Sequence, residues 1–533
     1  MDNRNILTNK FYLYLTEFFA GMAVMAVELG ASRLLAPYFS SSQIVWTIII
    51  GTIMIAMALG NIYGGRSADK NPNPDKLYVR ILIAAVWIAL IPVLGKYIII
   101  GISGIMILTV NHNFLIIAAF FACMVIFVFP LFLLGTVTPS LAKYTVGNLD
   151  DSGKIVGTLG AFNTVGSIIG TFLPTFVTIP AVGTSVTFLI ISGILLLLGV
   201  LYFICVKRKP AACTVAVGFF VVCTILGRNN SFAFWESGLT YEGESIYNYL
   251  QVKENEKSVI LSTNVLFGVQ SITMKDDSLT GMYYDYAMAA PVIAGITEDS
   301  YADMLILGMG TGTYARQCLK YFPNLTVEGV EIDQKITDLA EEYFDLPSGV
   351  KVSTYDGRAY LQAVDKKYDV IMVDAYQDIT IPFQMSSVEF FSMVKEHLKE
   401  NGVMVVNMNM HSDQEGNIND YLADTISSQF EYVYTVNVAG STNRELFATN
   451  GRDGLVELTQ NKDLIKDNQL SDLLVQIDNS MVKYEKGNYL LTDDKAAVEV
   501  LGMQVIDELI LDELGYYKNL FKEEGIAGLI KNL

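Results

Sequence analysis

Seven apolar stretches crowd the first 230 residues, near 11–35, 44–64, 79–99, 114–137, 155–178, 185–206 and 211–227, and they constrain the fold more than any other feature. A helix needs about 20 mainly apolar residues to cross about 30 Å of hydrocarbon. Residues 1–230 are therefore predicted to form an α-helical transmembrane bundle of about seven spans, with the lipid bilayer as its partner. Residues 97–110 are apolar but too short to cross alone, and are expected to lie in the interface or to extend the third span. The cations Arg4, Lys10, Arg66, Lys70, Lys76, Arg80, Lys143, Lys154, Lys207, Arg208 and Lys209 fall in alternate connections, which places the N-terminus in the cytoplasm. Seven crossings then leave the chain after Arg228 outside, whereas an eighth through 97–110 would return it to the cytoplasm.

Charge divides the chain at the same place. Residues 1–230 carry a formal +7 and the remainder −26. A part that acidic repels phosphate, so no nucleic-acid partner is expected. The five cysteines include no CxxC pair and only three histidines are present, which leaves no metal site to expect. The opening MDNRNILTNK leads into an apolar stretch without a small-residue cleavage site, and no removed signal peptide is expected. Within the first span Glu28 stands out, because an ionised carboxylate in hydrocarbon is costly; it is read as a packing partner of Arg33 or as part of a polar pocket. Glycines such as Gly60, Gly64, Gly166 and Gly170 suit close helix contacts.

Beyond residue 230 the pattern becomes β-rich. Residues 231–300 read as a small antiparallel β-sheet leading in, and 301–533 as an α/β Rossmann-like domain of the methyltransferase type. Near-continuous apolar runs at 304–310, 326–333, 351–357, 368–376 and 402–409 alternate with helical segments, the mark of a buried, mostly parallel sheet whose ligands bind beyond the carboxyl ends of its strands. Those ends carry the informative residues. The first closes in Gly308, Gly310, Thr311 and Gly312, a turn where backbone can approach a ligand closely. The second ends in Glu331, suited to the two hydroxyls of a ribose, and the third in Asp356-Gly357, suited to an adenine amino group. The fourth runs Asp374-Ala375-Tyr376-Gln377-Asp378. Together they favour an adenosyl nucleoside without pyrophosphate over a dinucleotide.

The soluble half resembles the polyamine aminopropyltransferase (spermidine synthase) family, and the whole chain its membrane-fused branch. The likeness rests on ESIYNYLQV (244–252), FGVQSITMKDDSLTGMYYDYAMAAP (267–291), the GMGTGT loop, VEID, YDGR, VDAYQD and TDDKAAVE (492–499). It implies an enzyme that moves an aminopropyl group from decarboxylated S-adenosylmethionine to an amine such as putrescine. Asp374 would act as base with Tyr376 beside it, and Gly308, Gly310, Thr311, Gly312, Glu331, Asp356 and Gly357 would hold the donor. Asn248, Gln270, Tyr283, Tyr284, Asp285, Gln377 and Asp378 would line the acceptor groove. No permanently bound cofactor is implied; the adenosyl donor is a co-substrate. Five positions depart from the family pattern: Thr311 replaces an Asp that grips the donor amine, Gln377 replaces a second Asp, Tyr247-Asn248 stands for Tyr-Gln and Tyr284-Asp285 for His-Glu. A methyltransferase using S-adenosylmethionine and a non-catalytic polyamine-binding or transport protein stand as the alternatives, and a homodimer is compatible with the reading. The location expected is the cell membrane, multi-pass, with the soluble domain leaning to the cytoplasm because its donor is made there.

Overall fold

A computed structural model describes residues 10–109, 113–146, 152–228, 231–236, 238–265, 269–375, 381–409, 414–502 and 505. The chain divides into two compact units, one formed by the described parts of Met1–Ser237, Glu242–Tyr249 and Asn264–Leu266, the other by Gly238–Tyr241, Leu250–Thr263 and Phe267–Leu533.

The first unit is helical. Its helices are α1 (Lys10–Phe39), α2 (Gln43–Lys70), α3 (Pro74–Thr109), α4 (Phe114–Ile126), α5 (Val128–Gly135), α6 (Val137–Thr145), α7 (Ser152–Leu173), α8 (Ile179–Val206) and α9 (Pro210–Gly227). Most are apolar around their whole circumference, and many of their large apolar side chains are exposed. Among the described residues five stretches are long and apolar enough to cross a membrane, and a sixth results if the α4–α6 pair, bent by 50°, counts as one. One of the five, Ser152–Val206, is 55 residues long and breaks at Gly183, whose φ of 80° no helix interior adopts. Residues 97–109 continue α3, so of the two expectations for this segment the structure has the extension of the third span. The α1–α7 crossing is close because a side chain at Gly166 or Gly170 would run into the carbonyls of Phe18 or Met22.

Polar groups mark the two ends of this unit. Lys143 pairs with Asp69 at 2.8 Å, and Asp75 takes Arg208 at 3.1 Å and the Tyr202 hydroxyl at 2.7 Å. Where the other helix ends gather, Lys96 donates to the Ser231 carbonyl, Tyr38 to that of Phe232, and Glu244 accepts from the backbone and hydroxyl of Thr184 beside the Gly183 break. Arg33 donates to the Ile246 carbonyl. The most enclosed carboxylate of α1 is Glu17 rather than Glu28: fully buried, it accepts from Thr138 and Asn163.

In the second part of the chain β1 (Leu239–Glu244), β2 (Tyr249–Glu254), β3 (Ser258–Ser262) and β4 (Ser271–Met274) form a four-stranded sheet in that order. Its Leu250, Val252, Val259 and Leu261 pack on Ile336, Leu339 and Phe344. Then follow α10 (Tyr283–Ala287), α11 (Ala289–Ile293), β5 (Ala302–Leu307), α12 (Thr313–Tyr321), β6 (Leu325–Glu331), α13 (Gln334–Tyr343), β7 (Lys351–Thr354), α14 (Gly357–Ala363), β8 (Tyr368–Val373), α15 (Val388–Glu396), β9 (Leu398–Met408), α16 (Ile418–Ser427), β10 (Tyr432–Asn437), β11 (Arg444–Thr449), α17 (Gly454–Asn461), α18 (Asn468–Ser480) and β12 (Val482–Lys483). They build an eight-stranded sheet of order β12-β10-β11-β9-β8-β5-β6-β7. The strands from β9 to β7 are parallel, and β11, β10 and β12 add on antiparallel. Helices cover both faces, which is why β5 and β8 read as unbroken apolar runs. Chain direction along the sheet reverses between β5 and β8, and the crevice beyond such a switch point is where doubly wound sheets bind ligands.

Candidate active site

The glycine loop after β5 is shaped by its neighbours. Gly308, Gly310 and Gly312 have φ of 81°, 57° and 82°, the region only glycine enters without strain. A side-chain carbon at Gly308 would stand 2.5 Å from the Asp374 carbonyl, so the loop lies directly against the end of β8. The amides of Gly308 and Met309 donate to the Val330 carbonyl, and the Gly310 amide to Glu331 Oε2 at 2.9 Å. Glu331 Oε1 accepts from Asp333 N at 3.0 Å. Glu331 is almost wholly buried, and that burial holds its carboxyl above the usual range.

Asp374 follows β8 across the switch point from Glu331. Its Oδ2 accepts the Tyr283 hydroxyl at 2.6 Å and its Oδ1 the Asn407 amide at 2.9 Å. Loss of solvent drives its pKa up to about 7, the negative charge of Glu331 adds to the rise, and the two hydrogen bonds oppose it. Tyr283 and Tyr284, on α10, have ring centroids 4.0 Å apart, and the Tyr284 hydroxyl donates to the Gln270 carbonyl at 2.9 Å. Asp356 caps α14 through Ala359 N at 2.8 Å, while the Tyr355 amide donates to the Glu331 carbonyl, which ties the end of β7 to that of β6. Gly357 follows, with Met385 close to its Cα. Glu331, Asp356 and Asp374 thus line one rim of the sheet around the glycine loop.

Other positions singled out from the sequence stand differently. Thr311 is buried, its amide 3.4 Å from Ser271 Oγ and its hydroxyl 3.4 Å from Thr313. Asp285 is taken up as a clamp, accepting from Thr280, Gly281 and Gln317. Asn248 closes a turn with Ser245 and groups with the helical unit. Tyr376, Gln377 and Asp378 lie outside the described residues. Sequence reasoning missed Asn407 on β9, which donates to Asp374, Asn443 on the turn before β11, which donates to Asn407, and Glu445 on β11, which lies opposite Asn407. Arg358 of YDGR holds Asp493 of TDDK with bonds of 2.7 and 2.6 Å, which joins two distant motifs. Asp493 is lowered below the usual carboxylate range by that guanidinium.

The spermine/spermidine synthase domain profile matches residues 286–443. A probable polyamine aminopropyl transferase of Bifidobacterium longum is 54% identical over 348 residues, covering 62% of this chain and 77% of its own. A polyamine aminopropyltransferase of Vibrio vulnificus is 29% identical over 197 residues, covering 36% and 64% respectively. Among solved structures, a probable spermidine synthase from Corynebacterium glutamicum aligns with 18% identity over 48% of this chain and 99% of its own, at a TM-score of 0.36. The protein is a transferase. It belongs to the polyamine aminopropyltransferase family, with a helical unit ahead of the catalytic one.

Proposed function

We propose that the protein transfers an aminopropyl group from decarboxylated S-adenosylmethionine to a small polyamine such as putrescine, with Asp374 as the base. The observation that carries this reading is the Asp374 carboxyl, held by Tyr283 and Asn407 at the end of β8 against a loop built for close backbone approach, where burial raises its pKa to about 7. An acceptor ammonium has a pKa near 10 and must lose a proton before its lone pair can attack. Asp374 takes that proton. The freed lone pair then bonds to the carbon next to the donor sulfonium, the carbon–sulfur bond breaks with its electron pair going to sulfur, and neutral methylthioadenosine departs. Asp374 afterwards releases the proton to solvent. A base is most effective when its pKa lies near the working pH, which ordinary carboxylates miss by about three units.

In the same reading Glu331 takes the ribose hydroxyls, Asp356 the adenine amino group, and the backbone at Gly308, Gly310, Gly312 and Gly357 the rest of the nucleoside. Tyr283, Tyr284 and Gln270 flank the acceptor. Thr311 leaves the donor ammonium without the carboxylate of the usual pattern, which is the one feature that favours S-adenosylmethionine as donor and methyl transfer as reaction. Purified protein given each donor with putrescine separates the two: methylthioadenosine from the decarboxylated donor alone supports aminopropyl transfer, and S-adenosylhomocysteine from the other supports methylation.

The reading extends to location, as a multi-pass protein of the cell membrane. The cation-rich connections, with their Lys143–Asp69 and Arg208–Asp75 pairs, belong in the cytoplasm by the positive-inside rule. The adenosyl donor is made in the cytosol, which supports a catalytic unit on the cytoplasmic side. Protease added to intact cells then leaves the catalytic unit whole; its degradation would overturn this placement.

A further inference from the structure

Glu445 is a buried carboxyl beside the site that the reaction above does not use. It is fully enclosed, and among the described residues neither of its carboxyl oxygens has a hydrogen-bond partner. Asp374, Glu331 and Asp285, by contrast, are all hydrogen-bonded. A buried polar group left without a partner is costly, so one that persists calls for an occupant.

Register fixes where Glu445 stands. Because β11 runs antiparallel to β9, its first residues lie at the carboxyl-end rim of the parallel strands, with Arg444 opposite Met408 and Glu445 opposite Asn407. Directly opposed residues point to the same face of a sheet, so Glu445 shares a face with Asn407. The Asn407 amide donates to Asp374, and its carbonyl oxygen accepts from Asn443 at 2.8 Å. Asp374 and Glu445 therefore flank Asn407 from either side. Two strand spacings of about 4.8 Å separate β8 from β11 by about 10 Å. An extended four-carbon diamine spans about 6 Å between nitrogens, and a hydrogen bond of about 2.8 Å at each end brings the total to a comparable length.

We propose that Glu445 is a second carboxyl of the acceptor site, which receives the ammonium of a diamine that Asp374 does not deprotonate and so selects diamines over monoamines. This rests on the aminopropyl-transfer reading. Burial, together with the Asp374 charge, raises the Glu445 carboxyl well above the usual carboxylate range. The arriving ammonium supplies both the missing hydrogen-bond donor and the compensating charge. Asp374, which is partly exposed, is the side from which the diamine enters.

The test compares putrescine with 1-aminobutane as acceptors, using full-length protein in detergent. Wild type prefers the diamine in kcat/KM. Glu445→Gln loses at least tenfold of that preference through the KM of putrescine, with the donor KM and the turnover of 1-aminobutane retained. Glu445→Asp, which draws the carboxyl back by one methylene, moves the preference toward the five-carbon diamine cadaverine, and this readout stands if the Gln variant fails to fold. An equal loss on both acceptors, or an Asp variant with unchanged chain-length preference, overturns the proposal while leaving the activity intact. Absence of transfer by wild type to any amine overturns both readings.

Discussion

Replacing Tyr283 by Phe removes the 2.6 Å hydrogen bond to Asp374 Oδ2 and leaves the ring in place. That bond favours the ionised carboxylate, so its loss raises the pKa of Asp374. A hydrogen bond to a charged group contributes about 1.5–3 kcal/mol, and one pH unit corresponds to about 1.4 kcal/mol, so the rise is roughly one to two units above the starting value. The starting value is about 7. The base works only when ionised, so kcat/KM for the acceptor climbs with pH through this pKa. Measured with saturating donor from about pH 5 to about pH 10, the midpoint of the acidic limb should move upward in Tyr283→Phe by that interval. Asn407→Leu, which removes the bond to Oδ1, should move it the same way. A limb that stays in place or moves downward in both variants would refute Asp374 as the titrating base.

Asp374→Asn should lose about 10²–10⁴ of kcat, the usual share of general base catalysis. It should also melt higher than wild type. The folded-state pKa lies above the unfolded value of about 4, so ionisation in the unfolded chain weakens the wild-type fold progressively between about pH 4 and about pH 7. The advantage of the Asn variant should grow over that window and stay level above it, and thermal melts across the range check this. Gly308→Ala forces a side-chain carbon to within 2.5 Å of the Asp374 carbonyl at a φ of 81°. It should cut activity by more than tenfold, in line with about 1–3 kcal/mol of local strain, while circular dichroism reports an intact fold.

The glycine loop and the acidic strand ends were legible in the sequence because each is local: a run of buried strand, then one residue at its carboxyl end. Glu331, Asp356 and Asp374 come to one rim through strand order alone. Asn407 and Glu445 were not legible, since their juxtaposition depends on an antiparallel pairing across the stretch between β9 and β11, and nothing in RELFAT marks its glutamate as buried. Asp285 illustrates the converse. Its acidic character in an aligned motif suggested the acceptor groove, yet its oxygens are engaged by the preceding turn and Gln317. In the helical unit, hydropathy located the apolar stretches well. It did not separate Glu17 from Glu28, because burial inside a bundle depends on which neighbouring helices bring polar partners, here Thr138 and Asn163.

The most direct measurement follows products from purified protein given labelled decarboxylated S-adenosylmethionine and putrescine, beside the Asp374→Asn variant. The account predicts methylthioadenosine and the aminopropylated amine in equal amounts from wild type, and neither above background from the variant. Equal product from both proteins, or S-adenosylhomocysteine formed from S-adenosylmethionine instead, would contradict it.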